Sequence, residues 1–86
     1  MVWYVYVLRC GDGSLYTGIT NDLTRRLQAH RSGRGAKYTK GRGPLTLVYA
    51  EKQQDRSAAS RREYAIKHLT RSEKEILLST WDPAAI

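Results

Sequence analysis

Cysteine is nearly absent from this 86-residue chain. The single Cys10 has no partner for an internal disulfide, so packing and backbone pairing must hold the fold, as suits a reducing compartment and a cytoplasmic, bacterial-type protein. No apolar stretch is long enough to span a bilayer, and the run Val2 to Leu8 is too short and too interrupted by tyrosine for a signal peptide, so no membrane association is expected. Two histidines, His30 and His68, and one cysteine offer none of the four-ligand spacings of a zinc site. The Gly-x-x-x-x-Gly-Lys-Ser/Thr phosphate loop is missing, which sets nucleoside triphosphates aside as substrates. Ser, His and Asp occur, but no local pattern arranges a nucleophile and its base for acyl transfer.

Acidic residues are missing from one long stretch. Between Leu23 and Ala50 there is none, against seven cations: Arg25, Arg26, Arg31, Arg34, Lys37, Lys40 and Arg42. The rest of the chain balances eight cations against eight acids, so the whole net charge of +7 belongs to this segment. A solvated basic face kept for solubility would account for charge alone. Its concentration in one stretch points instead to the phosphates of nucleic acid. No obligate protein partner is indicated.

The length leaves room for one small core, hence a single domain over residues 1–86. Val2 to Leu8 has the Val, Trp and Tyr content of a strand and stops at a Gly-Asp-Gly turn, where Asp12-Gly13 is a hairpin signal and Ser14 to Gly18 the return strand. Asn21 or Asp22 caps a first helix through Leu23, Leu27 and His30. Ser32 to Gly43, with four glycines, reads as a basic loop closed by Pro44. Leu45 to Glu51 alternates as a third strand with both faces largely covered, central or well packed in the sheet. Asp55 or Ser57 caps a second helix whose stripe is Ala58, Ala59, Arg62, Ala65, Ile66 and Leu69, and Ser72 with Glu75 forms the capping box of a short third helix. The expected fold is α+β: a three-stranded sheet, made of an N-terminal antiparallel hairpin plus a third strand, packed with helices.

The chemistry-bearing residues then form an unusual set. Two tyrosines, Tyr6 and Tyr16, lie on paired strands where a hairpin can turn both hydroxyls to one face. Arg26 and His30 are one turn apart on the first helix, and Glu63 is a lone carboxylate on the second. Tyr4-Val5-Tyr6, then Tyr16-Thr17-Gly18, Arg26, His30 and Glu63 resemble the GIY-YIG nuclease superfamily over nearly the whole chain. Lys37-Tyr38-Thr39 and Ile66-Lys67 are similar to its small single-domain, YhbQ-like bacterial branch. Where the family name has Gly-Ile, this chain has Tyr4-Val5, while the hydroxyl-bearing Tyr6 is retained.

That resemblance implies a metal-dependent endonuclease cutting nucleic acid, DNA in the first place and by structure rather than sequence, in repair or recombination. It implies catalytic Tyr6, Tyr16, Arg26 and Glu63, with His30 beside them, and one divalent cation, Mg²⁺ or Mn²⁺, on Glu63. The physical chemistry is compatible: Arg26 supplies a fixed planar cation for phosphoryl oxygens, and one carboxylate can hold Mg²⁺ whose other positions are water and substrate. Tyr6 is the first choice for the group acting on water if positive charge favours its phenolate; His30 is the alternative base, or a support for the arginine. Arg25, Arg31, Arg34, Lys37, Lys40, Arg42 and Lys67 are backbone-contact candidates. Tyr38 either stacks on a base or anchors its loop. Glu63 can also be read as a simple i,i+4 partner of Lys67. Two other functions remain open: a non-catalytic nucleic-acid-binding module, and a protein-interaction domain with a basic face.

Overall fold

In the computed structural model, which describes residues 2–85, the chain runs β1 (Trp3–Arg9), β2 (Leu15–Thr20), α1 (Leu23–Arg31), a 3-10 turn (Lys37–Thr39), β3 (Thr46–Gln53), α2 (Arg56–Lys67), α3 (Arg71–Ser79) and a last 3-10 turn (Pro83–Ala85). The strands make one antiparallel sheet in the order β2-β1-β3, and the fold is α+β as expected.

The central place goes to β1; of the two expectations for β3, central or well packed, the second holds, with Tyr49 and Ala50 in the core. Val5, Tyr6, Val7 and Leu8 are all buried in succession, which only a strand covered on both faces and both edges permits. β3 lies at an edge and carries the exposed Lys52 there, a charge that discourages further pairing. Its alternation is also broken. Val7 pairs with Tyr49 but Leu8 with Leu47, so Val48 is an extra residue and the strand bulges. Strict alternation would set Leu45, Leu47 and Tyr49 on one face. The bulge instead sends Tyr49 into the cluster of Val5 and Val7, and Leu45 and Leu47 into that of Tyr6 and Leu8.

Those clusters are the two faces of the sheet. Val5, Val7 and Tyr49 pack under Ala59 and Ile66 of α2 and Leu77 and Leu78 of α3. Tyr6, Leu8, Cys10 and Ala50 pack under Leu23 and Leu27 of α1. Each helix starts at a side-chain cap that occupies an otherwise unbonded N–H: Asp22 accepts from Arg25 N, Asp55 from Ala58 N, and Thr70 from Glu73 N. α3 therefore begins at a Thr70/Glu73 capping box rather than at Ser72/Glu75. Glu75 is taken by Arg9 of β1 at 2.9 Å, which ties α3 to the sheet.

Candidate active site

Tyr6 and Tyr16 do share one sheet face. Tyr6 pairs with Gly18 and Tyr16 with Leu8, so the tyrosines are diagonal neighbours, their ring centroids 6.4 Å apart. The absence of a side chain at Gly18 makes this possible. A Cβ there would stand 2.6 Å from the Tyr6 hydroxyl oxygen and 3.0 Å from the Tyr16 ring. The Tyr6 ring thus lies across β2, carrying its hydroxyl towards that edge of the sheet.

α1 lies over the same face and brings Arg26 and His30 to the phenol. The hydrogen bonds there have a definite direction. Thr39 donates its hydroxyl proton to the Ala36 carbonyl at 2.9 Å, so towards His30 it can only accept, and His30 Nδ1–H donates to it at 2.8 Å. His30 Nε2 is then bare and accepts the Tyr6 hydroxyl proton at 2.8 Å. Arg26 Nε donates to the Tyr6 oxygen at a long 3.4 Å. His30 supports the tyrosine rather than the arginine.

Burial decides the protonation states. Tyr6 is 0% exposed and its pKa is raised: desolvation outweighs the lowering by Arg26, with Tyr16 and Glu63 adding to the rise. Arg26 alone does not favour the phenolate against this burial, and Tyr6 stands as a neutral phenol. His30 is lowered, first by burial and then by Arg26, and is a neutral imidazole at pH 7. A neutral phenol donating to a neutral imidazole leaves no unpaired charge in the interior.

Glu63 comes from α2, half-buried, with its charge felt at Tyr6. Lys67 Nζ lies 3.3 Å from its carboxylate, so the i,i+4 pair also forms. Among the described residues no cluster of three or more His, Cys, Asp or Glu exists to cage a metal. A single half-buried hard oxygen donor fits a divalent cation that keeps water and substrate oxygens as its other ligands.

Arg25, Arg31, Arg34, Lys37, Lys40 and Arg42 are all exposed. They are not equally available. Arg42 pairs with Asp12 at 2.6 Å, an acid from the hairpin turn, and Ser14 and Arg42 together hold that carboxyl down at a pKa of about 2. Arg42 also covers one face of the Tyr38 ring at 4.5 Å, while Tyr16 stacks on Tyr38 with centroids 5.9 Å apart. These contacts tie Tyr38 to the sheet and to its own loop, while the residue itself stays exposed. Reading residue by residue missed three contributors. Thr39 fixes the His30 tautomer, Gly18 makes room for Tyr6, and Gly35 lets the loop pass against the His30 ring, where a Cβ would collide with Nδ1. The Tyr16-Thr17-Gly18 motif contains Gly18. Thr39 closes the Lys37-Tyr38-Thr39 segment, and nothing in residue type marks Gly35.

Comparison with known proteins places these features in a family. Residues 2–76 match the GIY-YIG catalytic domain. A UPF0213 protein of Clostridium perfringens is 56% identical over 77 residues, covering 90% of this chain and 83% of its own. The UPF0213 protein YhbQ of Escherichia coli is 51% identical over 77 residues, covering 90% and 77%. The solution NMR structure of a UPF0213 protein from Bacillus halodurans superposes with a TM-score of 0.62 at 50% identity, over 98% of this chain and 90% of that one.

Proposed function

The chain belongs to the GIY-YIG catalytic-domain family, a nuclease-type family, and from that premise we propose that it is an endonuclease hydrolysing phosphodiester bonds in nucleic acid with Mg²⁺ or Mn²⁺. Residues 1–86 act as one nuclease domain in the cytoplasm. Its substrate is DNA, chosen by structure rather than sequence, in repair or recombination, because a domain this small has little surface to read bases.

The observation that carries the reading is the directed chain Arg26, Tyr6, His30, Thr39. A phosphodiester cut needs a water relieved of its proton, a cation on the phosphoryl oxygens, and neutralisation near the leaving oxygen. Tyr6 alone is a poor base, since its pKa is raised. Coupled to His30 it has a route: as the Tyr6 oxygen takes a proton from water, its own proton passes to Nε2 of His30, and Thr39 holds that imidazole in the accepting tautomer. The wholly covered Tyr6 hydroxyl must first be opened. The long Arg26 bond is the one most easily exchanged, so Arg26 turns onto a phosphate oxygen and uncovers the phenol. Tyr16 orders the water beside it. Glu63 holds the divalent cation, which when bound offsets charge on the phosphate and leaving oxygens, and Lys67 is released to the nucleic-acid backbone. Arg25, Arg31, Arg34, Lys37 and Lys40 supply further backbone contacts, and Arg42 does so once Asp12 lets it go.

The test is cleavage of labelled branched and single-stranded DNA, and of RNA, with Mg²⁺ or Mn²⁺, beside a binding assay. Arg26→Ala and Glu63→Gln should each lose roughly 100-fold or more in cleavage while binding is largely kept. Binding of every substrate with no metal-dependent cutting by the wild type would replace the nuclease reading with that of a non-catalytic binding module.

A further inference from the structure

Tyr64 has no part in the chemistry above, yet its side chain stands out on the surface. It is 66% exposed, against 42% for Tyr38, whose ring contacts Tyr16 and Arg42. One face of the Tyr64 ring is backed by His68, one turn further along α2, with centroids 4.0 Å apart in a stacked arrangement. The backing ring is itself held: His68 Nδ1–H donates to the Tyr64 carbonyl at 2.8 Å. The stack is therefore built before any ligand arrives, and the outer face of the tyrosine is left to solvent.

The helix relates this stack to Glu63. At about 100° per residue, Lys67 lies about 40° round the helix from Glu63, Tyr64 about 100°, His68 about 140° and Arg61 about 160°. A strand leaving a phosphate beside Glu63 in that direction crosses Lys67 and meets the Tyr64 ring, with Arg61 beyond. Arg61, Lys67 and His68 are exposed, and apart from Glu63 itself and the capping Asp55 no acid occurs from Asp55 to Leu69. An open aromatic face among cations suits a flat π-system carried on a polyanion.

We propose that the Tyr64–His68 stack, flanked by Arg61 and Lys67, is the seat of an unpaired nucleobase next to the phosphate that is cut. This rests on the nuclease reading and deepens it: the preferred nucleic acid has an unstacked nucleotide on the α2 side of the scissile bond. Stacking tolerates any base, so the seat selects for structure and not for sequence.

The test measures affinity for single-stranded DNA and RNA oligonucleotides, an abasic DNA version and a blunt duplex, using wild type, Tyr64→Ala, Tyr64→Leu and Tyr64→Trp. Tyr64→Ala and Tyr64→Leu should weaken single-strand binding roughly tenfold, with Tyr64→Trp restoring it. The salt dependence should not change, because no phosphate contact is removed, and neither the abasic strand nor the duplex should distinguish wild type from Tyr64→Ala. Single-strand affinity unaltered in Tyr64→Ala, whether or not the protein's self-association changes, overturns this proposal alone if the wild type still binds and cuts. A wild type that binds no nucleic acid overturns it together with the nuclease reading.

Discussion

The two faces of β1 are built on opposite plans. Val5 and Val7 point into a hydrophobic cluster with Ala59 and Ile66, where stability comes from apolar area removed from water and from close packing. Tyr6 is equally buried, but it points into a chain of polar groups that must all be partnered for burial to be tolerated. Neighbouring positions of one strand thus serve stability on one side and chemistry on the other. The contrast teaches which changes each side can absorb. A cavity under α2 should cost folding free energy and little else, whereas a small displacement under α1 should disable the site.

The largest effect on stability is expected from Ile66→Ala. Truncating this fully buried side chain should cost about 2–5 kcal/mol in urea unfolding, while cleavage per folded molecule stays within a few-fold of wild type. Loss of cleavage in protein that is still folded would join the two faces into one functional unit. Gly18→Ala should come next. Its Cβ would have to displace the Tyr6 hydroxyl from 2.6 Å, costing roughly 1–3 kcal/mol and detaching Tyr6 from His30, so cleavage should fall by far more than stability does. A fully active Gly18→Ala protein would remove Tyr6 from the proposed mechanism.

The smallest effect is a dependence on pH. His30 is held neutral in the fold, its pKa below the ordinary 6.5, whereas an unfolded histidine charges at that value. The unfolded state therefore binds more protons, and stability should decline as pH falls from about 6.5 to the lower folded value and then level off. Asp12, Glu73 and Glu75 are shifted down as well, so their contributions are lost as pH falls below about 4.5. In thermal melts the upper decline should vanish in His30→Gln and the lower one persist. A decline near pH 6 that survives in His30→Gln would assign it to another group.

Much of this was legible in the chain itself. The strand and helix order follows from local patterns, because turns, caps and apolar spacing act over a few residues. Tyr6, Tyr16, Arg26, His30 and Glu63 were singled out as a set, and the fold does bring the first four into contact, with Glu63 near enough for its charge to reach Tyr6. Other features depend on partners far along the chain. The bulge at Val48 shows only against β1, Glu75 leaves its expected cap for Arg9, and Asp12 neutralises Arg42 although their own stretches give no hint of it.

The sequence by itself determined the α+β class, the short elements and the location of the excess charge, since each depends on residue type and near spacing. Only the tertiary structure decided which way the protons point in the Tyr6–His30–Thr39 chain and that burial keeps Tyr6 neutral. The same is true of the surroundings of Tyr38, in contact with Tyr16 and Arg42, and of Tyr64, stacked on His68. The reason is physical: a proton's position, a pKa and a ring's free face are set by what surrounds a group in space, and those surroundings are assembled from segments that the chain keeps far apart.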